Sequence, residues 1–155
     1  MMTDIRFYHM TRQSLDEVLP HIVEKAYAGA QKKGQTIRIQ MENAGETEIM
    51  SKRLWSFKQQ SFLPHGTAKD GQAERQPIWL NDNEDNLNKA ETLFLTQGQT
   101  CEDLSSYDLV CEMLNGHDDG MMTAARARWK TYKEQGHNLT YWYQDADKGW
   151  IKKDI

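Results

Sequence analysis

The segment Arg126-Ala127-Arg128-Trp129-Lys130-Thr131-Tyr132-Lys133 holds the residue types in this chain best placed to do chemistry. On a helix, at about 100° per residue, Arg126, Lys130 and Lys133 align as an i, i+4, i+7 row, and Met122, Ala125, Trp129 and Tyr132 form the neighbouring stripe. Arg128 adds a further cation. A basic row bordering an apolar one suits a short peptide that carries acids and a hydrophobic or aromatic end. A guanidinium takes a carboxylate in a bidentate fork while the adjoining apolar surface receives the ring. An ordinary amphipathic helix with a Met and aromatic core stripe and solvated cations shows the same spacing, so both readings stay open at this level.

Catalytic and metal chemistry find no comparable pattern. His9, His21, His65, His117 and His137 are scattered, and no two stand at the i, i+3 or i+4 spacing of a helical zinc site. The carboxylate pairs Glu84-Asp85 and Asp118-Asp119 sit beside Asn or Gly, where capping and solvation are expected in place of a raised pKa. Cys101 and Cys111 have Glu102, Asp103 and Glu112 as neighbours, the wrong charge for an activated thiolate. Two cysteines are too few for a disulfide framework and predict a reduced, cytosolic setting. No catalytic residue, metal or cofactor is therefore expected.

The elements that must position the basic segment are legible from periodicity. Ile5 to Met10 predicts a strand, followed by a helix in which Leu15, Val18, Leu19, Ile22, Val23, Ala26, Tyr27 and Ala30 recur at helical spacing. Ser14 to Glu17 reads as its capping box, with Gly34 as its stop. Pro20 predicts a kink or a later start, because it removes an interior N–H bond. Ile37, Ile39 and Met41 alternate as a half-buried strand, and Glu46 to Trp55 predicts a second helix. Short strands are expected at residues 77–80, 92–95 and 107–111, then a helix from Asp118 or Asp119 to about Gln135 and a strand over Asn138 to Tyr143. Residues 147–153 are left as a tail, and residues 145–155 as a whole are expected to be flexible.

Alternating strands and helices predict an α/β domain: a three-layer, Rossmann-like arrangement with a mostly parallel central sheet. A single domain over residues 1–155 is expected from a chain with 38% apolar and 27% charged residues. The first strand-to-helix turn, Met10 to Ser14, lacks glycine, and no Gly-x-Gly-x-x-Gly or Gly-Lys-Ser/Thr loop occurs, so the usual nucleotide cofactor is not expected. The opening residues have no continuous apolar run, which predicts neither a signal peptide nor a membrane anchor. The net charge of −4 is unevenly divided. Leu80 to Gly120 holds ten acids against one base, −9, whereas Met121 to Gly136 holds four bases against one acid, +3. An acidic body with one basic element points to a specific anionic partner more than to general nucleic-acid binding.

Several separated blocks resemble the chi subunit family of the bacterial DNA polymerase III holoenzyme, and most of all its alphaproteobacterial members. They are Ile5-Arg6-Phe7-Tyr8-His9; Leu54-Trp55 with Ser61-Phe62-Leu63-Pro64-His65-Gly66; Gln76-Pro77-Ile78-Trp79-Leu80; Arg126 to Lys130 with Tyr132; Gly136 to Gln144; and Gly149-Trp150-Ile151-Lys152-Lys153. The resemblance implies a non-catalytic clamp-loader adaptor of Rossmann-like fold that binds the acidic C-terminal tail of single-stranded-DNA-binding protein and so meets DNA only indirectly, in the cytoplasmic replisome. It carries the tail-binding role to Arg126, Trp129 and Lys130, to which helical geometry adds Arg128 and Lys133. The −9 stretch would repel such a tail and bias it onto the basic helix. It also implies a second surface, at Phe62, Leu63 and Pro64, for the psi subunit of the clamp loader or for a repair helicase.

Two other functions compete. One is a nucleotide-dependent enzyme using an unusual loop, which the missing glycines oppose. The other is direct binding of single-stranded nucleic acid by stacking on Trp129, Trp142 and Trp150, which the net charge opposes.

Overall fold

The computed structural model of the chain describes residues 3–58, 62–147 and 149–153. The chain runs β1 (Asp4–Met10), α1 (Leu15–Lys33), β2 (Ile37–Gln40), α2 (Ala44–Ser56), β3 (Ile78–Asn81), β4 (Thr92–Leu95), β5 (Leu109–Asn115), α3 (Asp119–Glu134), β6 (Asn138–Asp145) and β7 (Gly149–Lys153). The strands form one sheet in the order β3-β2-β4-β5-β1-β6-β7, parallel except for the last pair. This is the mostly parallel, three-layer α/β architecture that the alternation of elements predicts.

Side-chain alternation along β1 builds a core on each face of the sheet. Tyr8 and Met10 join Val18, Leu19 and Val23 of α1 and Met50 and Leu54 of α2. Ile5 and Phe7 point the other way, to Met122, Ala125 and Tyr132 of α3 and to Leu104 and Tyr107 of the loop before β5. All four residues of β2, β3 and β4 are buried, as strands covered on both faces must be. Among the described residues no helix is long and apolar enough to cross a membrane.

Four details differ from the sequence reading. First, the later start that Pro20 offered is not taken: α1 begins at Leu15, where the Ser14 box puts it, with the Glu17 carboxylate accepting the Ser14 N–H at 3.0 Å. The Asp16 carbonyl, which a prolyl nitrogen four residues on cannot serve, instead accepts Arg53 Nε from α2 at 2.9 Å. Second, β5 continues to Asn115 through Glu112, an acid only 1% exposed. Third, residues 149–153 are not a free tail but the edge strand β7, paired antiparallel with β6 from Asp145↔Gly149 to Tyr141↔Lys153. Gly149 takes a left-handed φ of 74° at its start, and Trp150 packs edge-on to Tyr8 at 5.1 Å. Fourth, Arg38 in β2 is fully buried without a carboxylate among the described residues, its guanidinium bonded to Asn81 Oδ1, the Asn83 carbonyl, Gln40 Oε1 and Tyr107 Oη at 2.8–3.1 Å.

Candidate functional site

Helix α3 is anchored at its start by the Asp118 side chain, which accepts the Met121 N–H at 2.9 Å. Its stripe of Met122, Ala125 and Tyr132 is buried, and Trp129 on the same stripe is half-buried. The Trp129 ring is clamped from two strands: Phe7 of β1 meets it edge-on at 5.1 Å and Tyr141 of β6 at 6.0 Å. Beside this clamp lies a pocket of about 380 Å³. Phe7, Leu114, Met122 and Ala125 supply apolar surface, Trp129 and Tyr141 aromatic walls, and Arg126 and Lys153 the cations. The size and the small number of charged groups are those of a small-ligand pocket.

His9 completes the pocket, with Nδ1 2.7 Å from the Tyr141 hydroxyl. Burial, then the cations Lys153 and Arg126, then His117, push His9 below the usual histidine range. Burial likewise holds the Tyr141 hydroxyl in its protonated form by raising its pKa, against the opposing pull of Arg126. The polar groups of the pocket are thus neutral while its cations are not, and a bound anion would find positive potential over an apolar floor.

A second depression, of about 390 Å³, shares Trp129, Tyr141 and Lys153 with the first and adds Lys133, His137, Leu139 and Lys152. Among the described residues neither depression is lined by an Asp or Glu. The cleft at the carboxyl ends of the parallel strands differs, being lined by Asp16, Glu42, Glu46 and Asp118 together with Arg12 and His117.

The structure sorts the residues singled out from sequence. Arg126 and Trp129 line the first pocket, and Trp129 and Lys133 the second. Lys130 is exposed on α3 and lines neither. Arg128 is turned inward: its side chain is 17% exposed, and Nε and Nη2 reach Glu112 Oε1 at 3.0 and 2.6 Å. Two helical steps place it roughly 200° around from Arg126, over β5, where buried Glu112 requires a counter-ion. On the other core, Phe62 is 69% exposed and its ring lies 5.6 Å from Trp55, itself 52% exposed. Leu63 is instead buried in the core under α1 and α2, and Pro64 is half-buried. His65 ties this turn to α2, with Nδ1 at 2.6 Å from the Leu63 carbonyl and Nε2 at 3.0 Å from the Ser51 carbonyl. Ser61 lies outside the described residues.

Sequence reasoning missed Phe7, His9 and Tyr141 because they join the site only through the β1–β6 pairing, and Lys152 and Lys153 because β7 was read as a tail. Trp55 was missed as a surface aromatic, although Met50 and Leu54 already mark the buried side of α2.

Among the described residues, the positions that the competing chemistries would use are otherwise engaged. At the first strand-to-helix turn, where nucleotide-binding sheets present N–H groups to phosphate, the N–H groups of Thr11, Arg12 and Gln13 converge on Gln144 Oε1 at 3.0–3.3 Å. The protein's own carboxamide fills that position. Trp142 and Trp150 pack against Tyr8 on the α1 face, opposite to Trp129, so the three tryptophans make no common stacking platform. Both cysteines are free and buried, and burial pushes the Cys111 thiol up to about 12.

Residues 2–140 match the family described as DNA polymerase III chi subunit, HolC. The probable DNA polymerase III subunit chi of Rickettsia prowazekii is 28% identical over 94 residues, which are 61% of this chain and 54% of that protein, so the match spans about half of the relative. The DNA polymerase III subunit chi of Haemophilus influenzae is 24% identical over 143 residues, 90% of this chain and 96% of that protein. Its counterpart in Pseudomonas aeruginosa is 25% identical over 123 residues, 79% and 82%. Strand β7 and the end of β6 lie beyond the matched span.

Proposed function

This chain belongs to the DNA polymerase III chi subunit family, a replication family, and from that premise we propose that it is a non-catalytic adaptor that holds the acidic C-terminal tail of single-stranded-DNA-binding protein and links it to the clamp loader. The observation that carries this reading is the pocket between α3 and β6, with aromatic walls at Trp129 and Tyr141 and a cation at each side, Arg126 and Lys153. A C-terminal aromatic residue brings a ring and a carboxylate separated by only a few bonds. The ring enters between Trp129 and Tyr141, and Arg126 takes the carboxylate in a bidentate fork. The buried area is small and charged contacts dominate, so the affinity is micromolar and falls with salt. Lys130 acts from the outer face of α3 as part of the local field, and Arg128 stabilises the helix through Glu112 without touching the peptide.

Three tail peptides test the reading: the acidic sequence ending in Phe with a free carboxylate, the same peptide with a C-terminal amide, and the same peptide with Phe replaced by Ala. Loss of binding in both altered peptides supports the pocket. Equal binding of all three overturns it.

The paired exposed rings of Trp55 and Phe62 support a second contact surface, for psi or for a repair helicase, since two adjacent aromatics held half in water are the usual anchors of a protein interface. It lies on α2 beside β3, at the opposite edge of the sheet from β7, so both partners fit at once.

A further inference from the structure

We propose that the β6–β7 hairpin turns the tail pocket into a two-part groove, in which Lys152 and Lys153 of β7 together with Lys133 of α3 hold the acidic residues that precede the peptide's terminal aromatic. The inference rests on the tail-docking reading above and adds the path and direction of the peptide.

The two depressions share Trp129, Tyr141 and Lys153, so they adjoin along the edge formed by the two rings. One holds the apolar surface of Phe7 and Met122 with Arg126, and the other the cations Lys133 and Lys152. A peptide end needs the first for its ring and carboxylate, and residues preceding that end must then leave across the Trp129–Tyr141 edge. Lys153 stands at the crossing, its Nζ 5.9 Å from the centre of the Tyr141 ring.

Charge supports the same path. Among the described residues Lys133, Lys152 and Lys153 form no ion pair, and all three are exposed. Among the described residues no acid lines either depression, although the chain as a whole carries −4. Three lysines without an ion pair among the described residues converge from two elements that are distant in sequence, and the antiparallel pairing of β7 with β6 brings Lys152 and Lys153 beside Lys133 of α3. A run of carboxylates is the chemistry that fits, because each gains from a nearby cation and no Asp or Glu lines either depression among the described residues.

A binding cycle on the full-length chain separates this proposal from the reading beneath it. Two peptides are titrated at low salt, the acidic tail ending in Phe and the same tail with its upstream Asp residues replaced by Asn, against wild type, Arg126→Ala and the double variant Lys133→Gln/Lys152→Gln. The double variant is expected to weaken the acidic peptide about threefold to tenfold and to change the Asn peptide by less than about twofold. Arg126→Ala is expected to weaken both peptides. If the double variant alters neither peptide, or both equally, while Arg126→Ala weakens both, the groove extension is wrong and tail docking stands. If Arg126→Ala leaves both affinities unchanged, tail docking itself fails and the extension with it.

Discussion

Arg128 Nη2 lies 2.6 Å from Glu112 Oε1, with Nε in reach of both carboxylate oxygens at 3.0 and 3.2 Å, so this arginine of the basic helix faces the sheet and not the solvent. The pair divides the cations of α3 by role. Arg126 and Lys133 address the two depressions, and Arg128 fastens α3 to β5.

Breaking this pair is expected to be costly for stability and silent for binding. Glu112→Gln strands a largely buried guanidinium and should cost about 2–4 kcal/mol, read as a lower urea midpoint at unchanged slope. Replacing both partners, Glu112→Leu with Arg128→Met, should recover most of that loss, because the desolvated charges go together. Peptide affinity of the folded double variant should stay within about twofold of wild type. A large affinity loss there would return Arg128 to the binding surface.

On the tail-docking reading, His9 is expected to make binding pH-dependent. Its pKa is lowered by burial and by Lys153, Arg126 and His117, so it is neutral at pH 7. A carboxylate bound beside it favours the imidazolium, and binding then takes up a proton. Affinity should therefore rise as pH falls from about 7.5 towards 6, while the peptide's carboxylates remain ionised. The stability of the free protein has the opposite sign. The unfolded chain binds the His9 proton first, so this contribution is present above the unfolded histidine pKa of about 6.5 and is lost as pH falls through and below it. Anisotropy titrations at several pH values, with His9→Gln as the control that flattens the dependence, check the first statement.

Pro20 and Arg53 form a coupled pair through the Asp16 carbonyl. Arg53→Ala should cost about 1 kcal/mol in the native background by leaving that acceptor without its 2.9 Å donor. In a Pro20→Ala background the restored Ala N–H serves the same carbonyl, and the cost of Arg53→Ala should fall close to zero. Chemical denaturation of the four proteins measures the coupling. Equal costs in both backgrounds would show that Arg53 stabilises α1 and α2 by another route.

Local signals were enough for much of the fold. The Ser14–Glu17 box, the Gly34 stop, the alternation of Ile37 and Ile39, and the Met122, Ala125, Trp129 and Tyr132 stripe each act over a few residues, and each appears where its spacing puts it. The site was only half legible, because its second wall is non-local. Tyr141 reaches His9 across 132 residues of sequence, a contact made by strand pairing that no periodicity announces. Strand β7 has only Trp150 and Ile151 as apolar residues between Gly149 and two lysines, too short to signal a strand without β6 beside it. Glu112 resembles a strand terminator in sequence, and only the return of α3 with Arg128 makes it a buried strand residue.

The central claim is that Arg126 and the Trp129–Tyr141 pocket hold an acidic peptide by its aromatic C-terminus. Fluorescence anisotropy of the labelled tail peptide, titrated with wild type and Arg126→Ala at low and at moderate salt, tests it most directly. A micromolar wild-type affinity that weakens with salt, and a loss of about tenfold or more in Arg126→Ala, is the result expected from losing a charged, bidentate contact. Equal affinities for the two proteins, or affinity indifferent to salt, would contradict it.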